Sequence, residues 1–221
     1  MSGDWDRHEG ILLQTIPYLG SHRILKIFTP DAGLISLMAK HIKTNNAAVT
    51  TPFCRAEWVY RKSIGEIHPL KDFAMLDPLQ ELRESYNIIS SAGSIARDLL
   101  RSQLPGRSAK SLYELLIASF RHLKTNPAAI ALSFRLKLLQ FEGLIRLEPH
   151  CMRCGAAANH LSGGESLCAS HARPPSFALD DPEWGLLLKL GLGRRFSEFA
   201  ALQPTPAFAD ITDRLFSERI H

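Results

Sequence analysis

Apolar residues in the first seventy positions come in short runs separated by turn chemistry, which is the pattern of strands. "GILLQTI" and "RILKIF" are bounded by "PYLGS" and "TPDAG". Thr29-Pro30-Asp31-Ala32-Gly33 predicts a hairpin turn, with Gly33 supplying a permissive backbone. "GLISLMA" follows, with Ile35, Leu37 and Ala39 on one face. "FCRAEWVYR" alternates, placing Cys54, Ala56, Trp58 and Tyr60 on one side and Phe53, Arg55, Glu57 and Val59 on the other. "IGEIHPL" offers a fifth strand. Four or five short strands joined by turns predict a small barrel or sandwich.

The period changes at Asp77. "DPLQ" offers Asp77 as an N-cap, proline at the first helical position and Gln80 to close a capping box. Leu79, Leu82, Tyr86, Ile89, Ile95, Ala96 and Leu99 then recur at helical spacing, and "QLPGRS" ends that helix. Leu112, Leu115, Leu116, Phe120 and Leu123 mark a second helix. A third starts with Asn126 as cap and Pro127 behind it, carries Ile130, Phe134, Leu138 and Phe141 on one stripe, and ends near Gly143. These stripes predict the core of a helical bundle. "DDPEWGLLLKLGLG" repeats the cap-then-proline device, and "PAFADITDRLFSERI" predicts a closing helix. "GRRFSEFAALQPTP" between them reads as connectors or a short helix.

Composition narrows the class. Hydrophobic content of 45% and charged content of 22% describe an ordinary globular protein. No apolar run is long enough for a membrane span, and "MSGDWDRHEG" lacks the apolar centre of a signal peptide, so a cytoplasmic location is expected. Net charge is +4, and the excess is concentrated early: residues 22–62 hold seven Lys/Arg against two Asp/Glu. A basic surface on a small domain suggests a polyanionic partner such as nucleic acid.

Three of the four cysteines fall in "PHCMRCGAAANHLSGGESLCASHARPP". In a reducing compartment they are not read as disulfides. Cys151 and Cys154 form C-x2-C, Cys168 and His171 form C-x2-H, and thirteen residues separate the pairs. Each spacing lets two side chains converge on one ion from a tight turn, and thiolates with one imidazole favour zinc. Gly155 suits the sharp turn of the first knuckle, and Gly163-Gly164 suits a hairpin joining the two. Arg153 and Arg173 are placed to offset the charge of the set, and His150 and His160 are alternatives to His171 as fourth ligand. Cys54 reads as a buried small hydrophobe.

A catalytic zinc is not favoured. The P-C-x-x-C of zinc deaminases has a partial counterpart in "EPHCMRC", but the H-x-E those enzymes require is missing upstream. Four protein ligands also close the shell that a catalytic ion keeps open to water, so the site reads as structural. Phosphate-binding loops, nucleophile elbows and H-E-x-x-H are absent from the sequence, and Asp180-Asp181 is explained by helix capping. No constellation supports an enzyme. Two other classes stay open: a zinc-containing nucleic-acid-binding regulator without annealing activity, and a metal-dependent hydrolase or deaminase, which the missing H-x-E disfavours.

The opening "HEGILLQTIPYLGSHRILKIFTPDAGLISLMAKHIK" resembles the first strands of the RecO family of bacterial recombination mediators. Tyr18, Arg23, Ile24, Phe28, Thr29, Gly33, Ala39 and Lys40 carry that match. "MLDPLQELRES" looks like the family's transition into helices, and "SFRLKLLQFEGLIRLEPHCMRCG" resembles the helix leading into its zinc knuckle. The chain departs from the family pattern at Gly20-Ser21, at His41 after Ala-Lys, and at His171 where a cysteine is common. The resemblance implies an α+β chain: an OB-fold barrel over 1–75, a helical bundle over 76–150, a zinc-finger insertion over 151–177, and C-terminal helices over 178–221 that complete the helical domain.

It also implies function. Family members bind single- and double-stranded DNA, anneal complementary strands, and engage the acidic tail of single-stranded DNA-binding protein. With RecR they help load RecA in gap and break repair, at the nucleoid. On that reading Arg23, Lys26, Lys40, His41, Lys43, Arg61 and Lys62 are the candidates for phosphate contact. Phe28, Trp58 and Tyr60 are the candidates for base stacking, although alternation favours the core for Trp58 and Tyr60. For the acidic tail, Arg135 and Lys137 beside Phe134 and Leu138, with Arg121 and Lys124 before them, offer basic groups next to an apolar slot.

Overall fold

A computed structural model of the chain describes residues 5–40 and 51–220. His41 and Lys43 lie outside the described residues. The chain divides into two compact units, residues 1–121 and 122–221.

Five strands open the first unit: β1 (Asp6–Tyr18), β2 (His22–Thr29), β3 (Gly33–Ala39), β4 (Arg55–Tyr60) and β5 (Ile67–Asp77). They close into a barrel in the order β1-β2-β3-β5-β4, with β3 and β5 parallel and every other pair antiparallel. This is the five-stranded OB-like barrel expected from the short alternating runs. Leu12, Leu25, Ile27, Ile35, Leu37, Cys54, Ala56, Trp58 and Tyr60 fill its interior. Trp58 and Tyr60 are therefore core, as their alternation indicated, and the Trp58 indole N–H is satisfied by the Gly10 carbonyl at 3.1 Å. Cys54 is 1% exposed, and burial pushes its thiol up to about 11.

Phe28 does not behave as expected. It faces outward on β2, yet it is fully buried, because the Tyr113 ring lies over it with centroids 6.0 Å apart. It offers no face to a base.

The β2–β3 hairpin is what the Thr29–Gly33 turn predicts. The Thr29 hydroxyl donates to the Gly33 carbonyl at 2.9 Å and accepts from the Ala32 amide at 3.1 Å. Gly33 has φ +63°, and a Cβ there would stand 2.6 Å from the carbonyl oxygens of Leu104 and Arg107. Glycine is required because the connector between the first two helices runs directly against this turn. Gly106 N donates to Ala32 O at 2.9 Å, and Ala109 N to Pro30 O at 3.0 Å.

The first helix starts later than its sequence signal. Asp77 ends β5, and its carboxylate accepts from Leu79 N at 2.9 Å in a local turn. Leu79 adopts φ +45°, Gln80–Arg83 form one 3-10 turn, and only then does α1 (Tyr86–Ser102) begin, capped by Ser85 accepting from Ile88 N at 3.3 Å. The shift changes the phase of the buried stripe to Ile88, Ala92, Ile95, Ala96 and Leu99, leaving Tyr86 82% exposed. α2 (Lys110–His122) follows.

The second unit is built on α3 (Pro127–Phe141), capped by Asn126 as expected. Its buried positions run round the whole circumference, from Ile130 and Leu132 to Leu136 and Leu139, so it is a central helix rather than a one-face stripe. Phe141, at its last turn, is 42% exposed and falls outside the core. Around α3 pack α4 (Asp181–Leu192) and α5 (Pro206–Arg219), joined by a 3-10 turn at Phe196–Phe199. Asp180 and Glu183 form a capping box for α4, which accounts for the Asp180-Asp181 pair. Three short strands, β6 (His160–Ser162), β7 (Glu165–Leu167) and β8 (Ser176–Ala178), form a sheet in the order β7-β6-β8. No helix among the described residues is long and apolar enough to cross a membrane.

Candidate metal centre and nucleic-acid interface

The β6–β7 hairpin brings the two cysteine knuckles together. Ser162 pairs with Glu165, so Gly163 and Gly164 form a two-residue loop, and both have positive φ, +59° and +88°. A Cβ on Gly164 would also stand 2.3 Å from the Leu144 carbonyl oxygen. Cys168 emerges directly after β7, and the Met152 amide donates to Ser166 O at 3.0 Å, tying the first knuckle to the same strand. Each knuckle is closed by its own backbone: Gly155 N donates to Cys151 O at 2.9 Å, and His171 N to Cys168 O at 3.0 Å.

The donor atoms of Cys151, Cys154, Cys168 and His171 all lie within 4.8 Å of one another. Cys154 and Cys168 sulfurs are 3.8 Å apart, and His171 Nδ1 lies 3.3 Å from Cys168 Sγ and 3.6 Å from Cys151 Sγ. A tetrahedral zinc, with Zn–S near 2.3 Å and Zn–N near 2.05 Å, needs edges of about 3.8 Å between sulfurs and about 3.6 Å between sulfur and nitrogen. The set fits such an ion. Burial opposes the Cys151 thiolate, but backbone N–H groups at Cys168, Arg153 and Cys154 outweigh it and bring the thiol down to about 6. At Cys154 the Ala156 amide favours the thiolate, yet burial and the sulfurs of Cys151 and Cys168 prevail and raise its pKa. Crowded thiolates of this kind are relieved by a divalent cation.

His150 and His160 are not part of the cluster, and His160 Nδ1 lies 2.7 Å from the Asn159 side-chain oxygen. Arg153 is occupied by Glu165 at 3.0 Å, and Arg173 donates to the Ser170 and Ala172 carbonyls at 3.4 and 3.2 Å, bracing the second knuckle.

On the barrel, Lys26 projects from the outer face and donates to the Ser36 hydroxyl at 2.8 Å. Strand register sets Lys26, Ser36 and Ile67 abreast across β2, β3 and β5. Arg61 and Lys62 follow β4 and are exposed, with Arg61 N donating to Pro69 O at 3.2 Å and Lys62 reaching Asp6 at 3.4 Å. Lys40 is exposed just past the Arg23–Ala39 pair. Arg23 itself holds the β1–β2 turn through the Gly20 and His22 carbonyls at 3.2 and 2.8 Å. The described cations thus lie on β2 or just past β3 and β4 of one barrel, with β5 between β3 and β4, and Arg23 is the most committed to structure.

Trp5 was not singled out by the sequence, since it precedes the alternating run in a charged stretch. Its indole is 43% exposed, with the Lys71 ammonium 4.4 Å from the ring centroid. It is an exposed stacking surface of the kind that Phe28, Trp58 and Tyr60 do not provide.

Of the four basic residues suggested for an acidic tail, Arg121 and Lys124 are exposed. Arg135 is 8% exposed and paired with Asp213. Lys137 is half-buried, donates to Gly193 O at 2.6 Å, and lies 5.8 and 5.4 Å from the Phe196 and Phe199 ring centroids.

Two family models match the chain: "Recombination protein O N terminal" over residues 1–79 and "Recombination protein O C terminal" over residues 83–215. The chain is 25% identical over 205 residues to DNA repair protein RecO of Chlamydia pneumoniae, covering 89% of this chain and 81% of that protein. It is 27% identical over 151 residues to DNA repair protein RecO of Bacillus subtilis, covering 66% of this chain and 59% of that protein.

Proposed function

The chain belongs to the recombination protein O family, and from that premise we propose that it is a non-enzymatic mediator of DNA repair and recombination. It binds single- and double-stranded DNA, anneals complementary strands coated by single-stranded DNA-binding protein, and works with RecR to load RecA. The observation that carries this reading is the set of cations on one barrel, Lys26 on β2, Lys40 just past β3, and Arg61 and Lys62 just past β4. Annealing breaks no covalent bond. It requires screening of the repulsion between two phosphate backbones, which a basic surface supplies.

The metal centre has a structural part in this reading. With Cys151, Cys154, Cys168 and His171 all directed at one point, a zinc ion there has four protein ligands and no position for water. The ion would fix the hairpin between α3 and α4 and supply no reaction chemistry.

The acidic tail of single-stranded DNA-binding protein is assigned to the second unit. Lys137 beside the half-buried Phe196 combines a cation with an apolar face, which supports it over the exposed Lys124.

Strand annealing on DNA coated with single-stranded DNA-binding protein, with and without that protein's tail, tests the proposal. Annealing that depends on the tail and falls with salt is expected. DNA binding without any annealing would leave a simpler nucleic-acid-binding protein.

A further inference from the structure

One end of the barrel opens into a cavity of about 520 Å³, lined by β1, β3, β4, β5, the β4–β5 loop, the β2–β3 turn and the connector between α1 and α2. Its size is within the range of small-ligand sites, and barrel mouths are a common place for them. Three rings form a stack in its wall. The His8 and Tyr60 centroids are 5.9 Å apart at 30°, and those of Tyr60 and His68 are 5.4 Å apart at 9°. Tyr60 is only 1% exposed, so the cavity meets the stack through the two half-buried imidazoles. The Ser63 amide donates to His68 Nδ1 at 3.2 Å, which fixes the ring and leaves the neutral imidazole's proton on Nε2. At the rim, Ile64 is fully exposed.

Charge selects the occupant. Three charged side chains line the mouth, the carboxylates of Asp31 and Glu66 and the ammonium of Lys62. Asp31 is paired with Lys110 at 3.2 Å and Lys62 with Asp6 at 3.4 Å, whereas Glu66 has no ion-pair partner among the described residues. A free carboxylate repels a phosphate but accepts from an exocyclic amino group. The flat imidazole wall and the aliphatic rim suit an uncharged heterocycle. Phosphates would remain outside, on the cations of the barrel surface.

We infer that this cavity holds one unpaired base of a bound single strand, stacked against His68, with Ile64 closing over it and Glu66 accepting from its exocyclic amino group. This rests on the DNA-binding reading above. The base enters the barrel mouth while the outer strands hold the backbone.

The test compares the full chain's affinity for a mixed-base oligonucleotide and for an abasic one of equal length, each over a range of salt. The base-bearing strand should bind roughly fivefold or more tightly. The gap should shrink in His68→Ala and in Ile64→Ser and persist in His68→Phe, which keeps a ring. Ile64 is fully exposed, so its substitution carries the test even if His68→Ala loosens the loop. Equal affinities with salt dependence intact would overturn the base pocket alone. A gap unchanged by Ile64→Ser and His68→Ala would also overturn it, placing the base contact elsewhere. Absence of salt-dependent binding to either strand would overturn both the pocket and the DNA-binding reading.

Discussion

The Tyr113 hydroxyl donates to the Glu9 carboxylate at 3.0 Å, joining α2 to β1 across 104 residues of sequence. The same carboxylate oxygen accepts from Arg55 at 3.4 Å, and the Tyr113 ring covers Phe28. One side chain thus seals an apolar part of the barrel's outer face and satisfies a charged group beside it.

Tyr113→Phe should keep the cover over Phe28 and lose only the hydrogen bond. The expected cost is about 1–2 kcal/mol, reduced from the value for a fully buried charged acceptor because Glu9 is partly solvated. That corresponds to a melting temperature lower by a few degrees, measurable by circular dichroism.

Alkaline pH should reveal the same residue. Burial, with the Glu9 charge and hydrogen bond adding to it, raises the Tyr113 pKa, and burial with Asp6 pushes Tyr60 up to about 12. Both phenols keep their protons in the folded state after an unfolded tyrosine, near 10, has lost its own. Unfolding then releases protons, so stability present below about pH 10 declines as pH rises above it. Urea midpoints measured from about pH 8 to pH 12 should fall less steeply in Tyr113→Phe than in the wild type.

For the metal centre, elemental analysis should find about one zinc per chain, lost in Cys151→Ser or Cys168→Ser and retained in His150→Ala and His160→Ala. Chelation should open the segment around the β6–β7 hairpin to proteolysis while the barrel unit stays protected. Because thiols must lose protons to bind metal, uptake should weaken progressively as pH falls, with Cys154, whose pKa is raised, competing for a proton first and Cys151 last, near 6. A metal-free preparation with an equally protected hairpin would assign the cysteines to packing.

Much of this was legible where the cause is local. Cys54 to Tyr60 alternate into the barrel, Gly33 turns the hairpin, and the two C-x2 pairs converge, because strand period and turn chemistry act over a few residues. Burial caused by distant partners was not legible. Nothing near Phe28 in sequence announces that Tyr113 covers it, and nothing near Arg135 announces its pairing with Asp213 on α5. The α1 stripe was misphased because the Asp77–Leu79 turn imitates a helix cap while Leu79 takes a left-handed backbone. β5 was read short because much of its length is exposed, which blurs the alternation.

Charge reversal on the barrel should separate phosphate contact from folding. Lys26→Glu, Lys40→Glu and Arg61→Glu should each weaken binding to single strands of any sequence and lower the salt slope by about one. Melting should change little at exposed Lys40 and Arg61, and slightly more at Lys26, which loses its bond to Ser36. Arg23→Glu should differ by destabilising the β1–β2 turn that its guanidinium holds. Unchanged DNA affinity across the first three would move the contact surface off the barrel.

Lys137 offers the sharpest test of the tail assignment. Its ammonium caps the C-terminal end of α4 through Gly193 O at 2.6 Å, and burial holds its pKa below the ordinary lysine range, with Glu198 pulling the other way. An acidic peptide tail adds to the opposing charge that Glu198 alone gives this half-buried cation, so binding should be stronger here than at a solvated lysine. Lys137→Met, which keeps the aliphatic stem, should weaken a labelled acidic-apolar peptide by about tenfold or more in fluorescence anisotropy. Lys124→Met should change it little, since that side chain is exposed. Raising the pH should weaken the wild-type complex before ordinary lysines titrate, because the lowered pKa discharges Lys137 first. Equal affinities for wild type and Lys137→Met, with unchanged melting, would place the tail on another surface.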